Sequence, residues 1–151
     1  MKLQFDGQPL AAASVETVWR CLLDAEFVAR TTPGLQSIET LSDTRHRVRA
    51  RVGTGAFGLD VVMEVEVCDL VPPNRATMRA TGNVANQPIS LISHVQLHEL
   101  GPFSTRIAWQ GEAELGGAIG GLGGTMLKAV APALVERFWS EFAKRVATEP
   151  V

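Results

Sequence analysis

Tyrosine is missing from this 151-residue chain, and aromatic residues make up only 6% of it. Its core must therefore be filled mainly by aliphatic and small side chains, with few large rings to close gaps. Cysteine is scarce. Cys21 and Cys68 stand far apart in unrelated contexts, which is neither a metal-ligand spacing nor a disulfide framework. They read as two buried or half-buried thiols in a reducing cytosol. A basic excess is also lacking: 14 Lys and Arg face 16 Asp and Glu, for a net charge of −2. That argues against nucleic acid and against a broadly basic membrane-binding surface, though not against a local patch. The longest charge-free stretch, Ala80 to His98, is broken by polar residues such as Asn83, Gln87 and Ser93. A spanning helix needs about 20 mostly apolar residues. After Lys2 the chain continues with Gln4, Asp6 and Gln8 rather than an apolar run, so no secretory leader is expected.

What is present is ordinary globular material. Apolar residues at 46% and charged residues at 20%, over this length, suit one domain that folds without staples. From about Leu122 to Val146, the residues Leu127, Ala131, Leu134, Val135, Phe138, Phe142 and Val146 recur at helical spacing. This predicts one long amphipathic helix, with a bend or restart where Pro132 removes a backbone hydrogen bond. Ser14 can cap an earlier helix carrying Val15, Val18, Trp19 and Leu22. A short turn at Glu26 to Arg30 follows, stopped by Pro33-Gly34.

Between these helices the period is two. Arg45 to Val52 alternates charge with apolar or neutral residues, and Leu59 to Cys68 does the same in register with it. If the intervening turn centres near Gly55, Arg51 meets Asp60, Arg47 meets Glu64 and Arg45 meets Glu66. The same register sets Val48 beside Met63 and Ala50 beside Val61. Further strands follow at Arg75 to Thr81, Ile89 to His98 and Arg106 to Ala113, with turns at Pro72-Pro73-Asn74 and Gly101-Pro102. Gln36 to Leu41, and Leu3 with Phe5, complete the set. The predicted fold is α+β: a curved antiparallel sheet of about seven strands, two short helices and one long C-terminal helix. Six glycines between Gly116 and Gly124 read as a hinge between the last strand and that helix, able to gate a cavity. No Gly-Lys-Ser/Thr follows that would make them a phosphate cradle.

One helix, about 10 Å wide, cannot cover seven strands. The inward positions include Ala50, Ala76, Ala80, Gly111 and Ala113, which leave volume. An apolar pocket of at least about 300 Å³ is expected between sheet and helix. Its walls are expected to be Met63, Met78, Leu91, Trp109, Leu127, Leu134 and Phe138. Ser93, expected opposite Trp109, would hold one polar atom of a ligand. Only His46 and Ser93 are polar on this inward list, so no acid–base or nucleophilic constellation is found. His94 and His98 would lie about 13 Å apart on a strand, too far to share a metal. The arginines at 45, 47 and 51 read as a solvated face laced by Glu39, Asp60, Glu64 and Glu66, with Arg49, opposite Val62, lacking an acid.

Two longer motifs carry a family likeness. Glu16-Thr17-Val18-Trp19-Arg20-Cys21-Leu22-Leu23-Asp24-Ala25-Glu26, followed by Pro33-Gly34-Leu35-Gln36-Ser37-Ile38-Glu39, resembles the opening signature of the carbon monoxide dehydrogenase G-subunit family. So does Asp69-Leu70-Val71-Pro72-Pro73-Asn74-Arg75 followed by Gly82. Relatives commonly carry Cys-x-Pro-Gly where this sequence reads Thr31-Thr32-Pro33-Gly34. The resemblance implies a single START-like, helix-grip domain over residues 1–151 with an apolar cavity. It implies a non-catalytic accessory protein without a cofactor, binding a lipid or quinone-like molecule. The implied partner is a molybdenum-containing carbon monoxide dehydrogenase or related hydroxylase, recruited to the membrane. The implied place is the cytoplasm, at the inner membrane face, by peripheral contact and without a transmembrane segment. Two other readings stand beside it: a cyclase or hydrolase on the same fold, which needs Asp60, Glu64 or His94 to line the cavity, and a protein-interaction subunit without a ligand.

Overall fold

A computed structural model describes residues 2–53, 58–84, 86–116 and 121–150. The strands are β1 (Lys2–Gly7), β2 (Leu10–Ala11), β3 (Leu35–Thr40), β4 (Arg45–Val52), β5 (Leu59–Val71), β6 (Arg75–Val84), β7 (Gln87–Gly101) and β8 (Ser104–Leu115). The helices are α1 (Val15–Leu23), α2 (Ala25–Thr31) and α3 (Gly121–Val146). The sheet is antiparallel, in the order β1-β8-β7-β6-β5-β4-β3, with β2 also on β8. This is the expected curved sheet with two short helices and a long C-terminal one. The two-residue β2 continues the register of β1 along β8 and is too short to show a period in sequence.

Local chemistry accounts for the helix ends. The Ser14 side chain accepts a hydrogen bond from the Thr17 amide at 3.2 Å and caps α1. Asp24 caps α2 by accepting from the Glu26 and Phe27 amides. Each cap satisfies amides that the first helical turn leaves unpaired. Gly34 ends this helical pair at a positive φ of 73°. α3 runs unbroken through Pro132, so the expected restart does not occur. Proline costs a helix one hydrogen bond, and here the residue is exposed, so the freed carbonyl can be hydrated. Of the glycine-rich stretch, residues 117–120 lie outside the described residues, while Gly121, Gly123 and Gly124 are already helical. The expected hinge is thus partly the first turn of α3.

The β4–β5 register is the one read from the charge pattern: Arg45 faces Glu66, Arg47 faces Glu64 and Arg51 faces Asp60. The turn near Gly55 lies outside the described residues. On the outward face Arg47 pairs with Glu64 at 3.0 Å and Glu39 at 3.4 Å, and Arg51 pairs with Asp60 at 2.8 Å. Arg49 faces Val62 as expected. The β7–β8 register differs from expectation. Val95, not Ser93, faces Trp109, and Ser93 faces Gly111. The loop is Pro102-Phe103, one step later than Gly101-Pro102, and an irregularity between Glu99 and Gly101 shifts the pairing back by one residue.

Among the described residues the inward face holds two apolar clusters. One joins Ala11, Val15, Val18, Cys21, Leu97, Ile107, Phe142 and Val146, where α1, the end of α3 and β8 meet. The fully buried Thr105 donates its hydroxyl to the Ala13 carbonyl at 2.9 Å and ties β8 to the start of α1. The other joins Val84 and Leu115 with Leu3, Leu59, Val61 and Ile89 around them. Burial pushes the Cys21 thiol up, since a buried thiolate is poorly solvated.

Two consequences can be measured. A Cβ on Gly82 would stand 1.9 Å from the Val62 carbonyl oxygen, and one on Gly34 would stand 2.0 Å from that of Arg51, whereas Gly101 has open space. Gly82→Ala and Gly34→Ala are each expected to lower stability by about 1–3 kcal/mol. Gly101→Ala should stay within about 0.5 kcal/mol of the parent. Urea titrations of the three variants decide this. In native protein, iodoacetamide should alkylate the half-buried Cys68 well before Cys21, as read by peptide mass spectrometry. Because the unfolded Cys21 thiol ionises first, its contribution to stability holds below the ordinary thiol pKa and fades as pH rises through the raised one.

Candidate functional site

Strand alternation puts the expected wall residues on one face. Register places Met78 beside Ser93, and Ser93 beside Gly111. The next row along the sheet is Ala80, Leu91 and Ala113, and Met63 faces Val48 and Gly82. These residues lie between the two apolar clusters. Ala80, Ala113 and Met63 are buried, while Met78, Leu91, Ser93 and Val95 are half-buried. Small groups are frequent in the band, and Met78, Leu91 and Val95 keep accessible surface although they point inward, whereas Met63 does not. Among the described residues the band lies between the main cluster and the small satellite cluster of Val84 and Leu115.

α3 supplies the opposite wall. Leu134 and Phe138 are half-buried, one turn apart. The side chain of Leu127 lies outside the described residues. Trp139 was not among the expected wall residues, yet its ring stands 5.4 Å from that of Trp109 and 5.0 Å from that of Phe138. Its signal was in the sequence, since Trp139 follows Val135 by four residues and precedes Phe142 by three, on the same helical stripe. Phe5, on β1, faces Gly111 and is half-buried in the same band. Phe142 is fully buried, 5.5 Å from Phe27 edge to face and 5.6 Å from Trp139. These rings clamp the C-terminal half of α3 to α2 and the sheet.

The ionisable residues whose inward placement would point to an enzyme stand elsewhere. Asp60 and Glu64 are on outward rows and paired with Arg51 and Arg47. His94 is outward too, with its Nδ1 3.0 Å from the Thr77 hydroxyl. His46 and Ser93 are polar groups on inward rows, each half-buried. Among the described residues the inward rows of this band offer a ligand apolar contact with hydrogen-bonding groups at Ser93 and His46 and no carboxylate, lysine or arginine.

The comparisons agree with this architecture. The family model for the carbon monoxide dehydrogenase G subunit (CoxG) matches residues 7–147. No curated protein matches the sequence. Among solved structures, a conserved protein from Geobacillus kaustophilus is similar at a TM-score of 0.84 and 23% identity, over 96% of this chain and 95% of that one. A START superfamily protein from Mycobacterium smegmatis is similar at 0.72 and 17%, over 95% and 96%. The Zhui aromatase/cyclase from Streptomyces sp. R1128 is similar at 0.70 and 16%, over 97% and 94%. At such identities the likeness establishes the START-like fold and leaves chemistry to the residues.

The aromatic clamp yields a graded expectation. Phe142→Ala should cost about 3–5 kcal/mol, as for a fully buried ring. Phe138→Ala, at the half-accessible band, should cost clearly less. Thermal and urea unfolding of both variants provide the comparison.

Proposed function

The chain belongs to the carbon monoxide dehydrogenase G-subunit (CoxG) family, and from that premise we propose that it is a non-catalytic accessory protein carrying an apolar molecule, quinone-like or an acyl chain. The ligand lies between the concave sheet face and α3. Met63, Met78, Leu91, Trp109, Leu134 and Phe138 are its walls, with Leu127 at the start of α3, and Ser93 holds its polar end. The protein acts beside a molybdenum-containing carbon monoxide dehydrogenase or related hydroxylase, which it helps bring to the cytoplasmic membrane face by peripheral contact.

The observation that carries this reading is the run of small and half-accessible side chains on the inward rows. Among the described residues two apolar clusters stand apart on one face, and the band between them sets Ala80, Ser93, Gly111 and Ala113 beside half-buried Met78, Leu91 and Val95 and buried Met63. An apolar guest there would gain roughly 25 cal/mol for each Å² it removes from water, and the inward rows would impose little desolvation cost on a neutral molecule. The aromatase/cyclase among the structural neighbours keeps an enzymatic reading in view. It is disfavoured here because Asp60, Glu64 and His94 all occupy outward rows.

Space-filling substitutions test the proposal. A short-chain ubiquinone and a fluorescent fatty acid serve as probes, with quenching of Trp109 and Trp139 emission and native mass spectrometry as readouts. Ala80→Leu and Ala113→Leu should weaken probe binding by at least about tenfold while leaving the melting temperature unchanged or higher. In a close-packed interior the same changes would instead cost about 1–3 kcal/mol each. Destabilisation of that size, or a parent protein that takes up neither probe, would overturn the assignment.

A further inference from the structure

The outward face of the sheet, turned away from α3, carries a concavity of its own. A groove of about 610 Å³ crosses β1, β8, β7, β6 and the end of β5. Register explains its shape. Asp6, Gln110, His94 and Thr77 form one cross-strand row, and Ala108, Gln96 and Arg75 form the next. The floor is low at Ala108, which is a single methyl, and at Thr77, which is buried with its hydroxyl on His94. One end is closed by a bulge in which Asp69 and Leu70 oppose Ala76, with Asp69 at a φ of 51°. Bulges twist a strand out of its plane, and this one sets Asp69 on the rim of the groove. Five strands at about 4.8 Å give a length near 19 Å, and two rows give a width of about 7 Å.

Charge sets the polarity of this groove, although Arg49, Arg79 and Arg106 on the same face also form no ion pair among the described residues. Elsewhere Lys2, Arg47 and Arg51 are matched by Glu112, Glu64 and Asp60 at 2.8–3.0 Å. Inside the groove Asp6, Asp69 and Arg75 form no ion pair among the described residues. Two carboxylates against one guanidinium favour a cationic guest. Gln96 and Gln110 offer an amide donor and acceptor each, the complement of a peptide group. An extended chain advances about 3.3 Å per residue, so about six residues span the groove.

We propose that this groove docks an extended basic segment of a partner polypeptide, laid across the strands with cationic side chains on Asp6 and Asp69. Its charged and amide side chains lie on outward rows, although Gly7, Ala76, Val95 and Trp109 of the inward rows also border it.

The test uses the full chain and two fluorescein-labelled hexapeptides, Lys-Gly-Ser-Ser-Gly-Lys and its Glu-ended counterpart, followed by anisotropy and amide chemical shifts. The Lys-ended peptide should bind, more weakly as salt rises, and the Glu-ended one should not. Asp6→Asn combined with Asp69→Asn should weaken binding about tenfold. Ala108→Trp, which fills the floor, should abolish it, with circular dichroism melts confirming that each variant folds. Shifts should map to β1 and β6–β8 outward positions. The proposal is overturned by binding that ignores peptide charge, by variants that bind as the parent does, or by shifts confined to α3 and the inward rows. It is equally overturned if neither peptide binds at millimolar concentration, or if free spermidine binds as tightly as the Lys-ended peptide, which would make the groove a small-cation site.

Discussion

Width decides this structure. A helix is about 10 Å across, whereas seven strands side by side span about 29 Å. α3 cannot cover the concave face, and its covering is concentrated where Phe142 and Val146 meet α1 and β8. Everything inward of that clamp must be filled by side chains or remain open. The sequence places alanine, glycine and serine there, at Ala80, Ser93, Gly111 and Ala113. A core designed for close packing would alternate large with small across facing positions; the row Ala80, Leu91, Ala113 does so, yet in the next row Ser93 faces Gly111, small against small.

Curvature depends on the same economy of side chains. Gly82 lets β6 approach the backbone of β5 closely, and Gly34 lets the chain leaving α2 pass over the carbonyl of Arg51. Both belong to the motifs through which the sequence resembles its family. Their role is therefore steric. They bring strands and helices within a distance that a methyl group would forbid. Such residues say nothing directly about a ligand, although they shape the space one would enter.

Legibility tracked the range of the interaction involved. The β4–β5 register could be read because opposite charges and matched apolar pairs must both be satisfied by one alignment. The α1 cap could be read because Ser14 bonds within its own turn. The β7–β8 register could not, since a loop one residue later and an irregularity near Leu100 move every pair without changing the alternation. The short β2 and the Asp69 bulge carry no periodic signal at all. At the candidate site, the inward residues of the sheet followed from alternation. Trp139 was passed over although it shares a helical stripe with Val135 and Phe142, because Phe138 beside it satisfied the same pattern.

The same alternation that makes one face apolar makes the other polar, and the two faces place different demands on their occupants. An apolar guest under α3 gains by leaving water and needs few directional contacts. A guest on the outward groove stays partly hydrated and must be held by charge and amide pairing, whose strength falls with salt. Ion pairs join Arg45, Arg47 and Arg51 to acids near β4 and β5, whereas among the described residues Asp6, Asp69 and Arg75 form none. Unpaired surface charges alone carry little meaning. Around a depression with a buried threonine and a single methyl for a floor, they define a shape and a polarity together. Under the two proposals a single sheet would hold an apolar cargo by burial on one face and a basic segment by charge on the other.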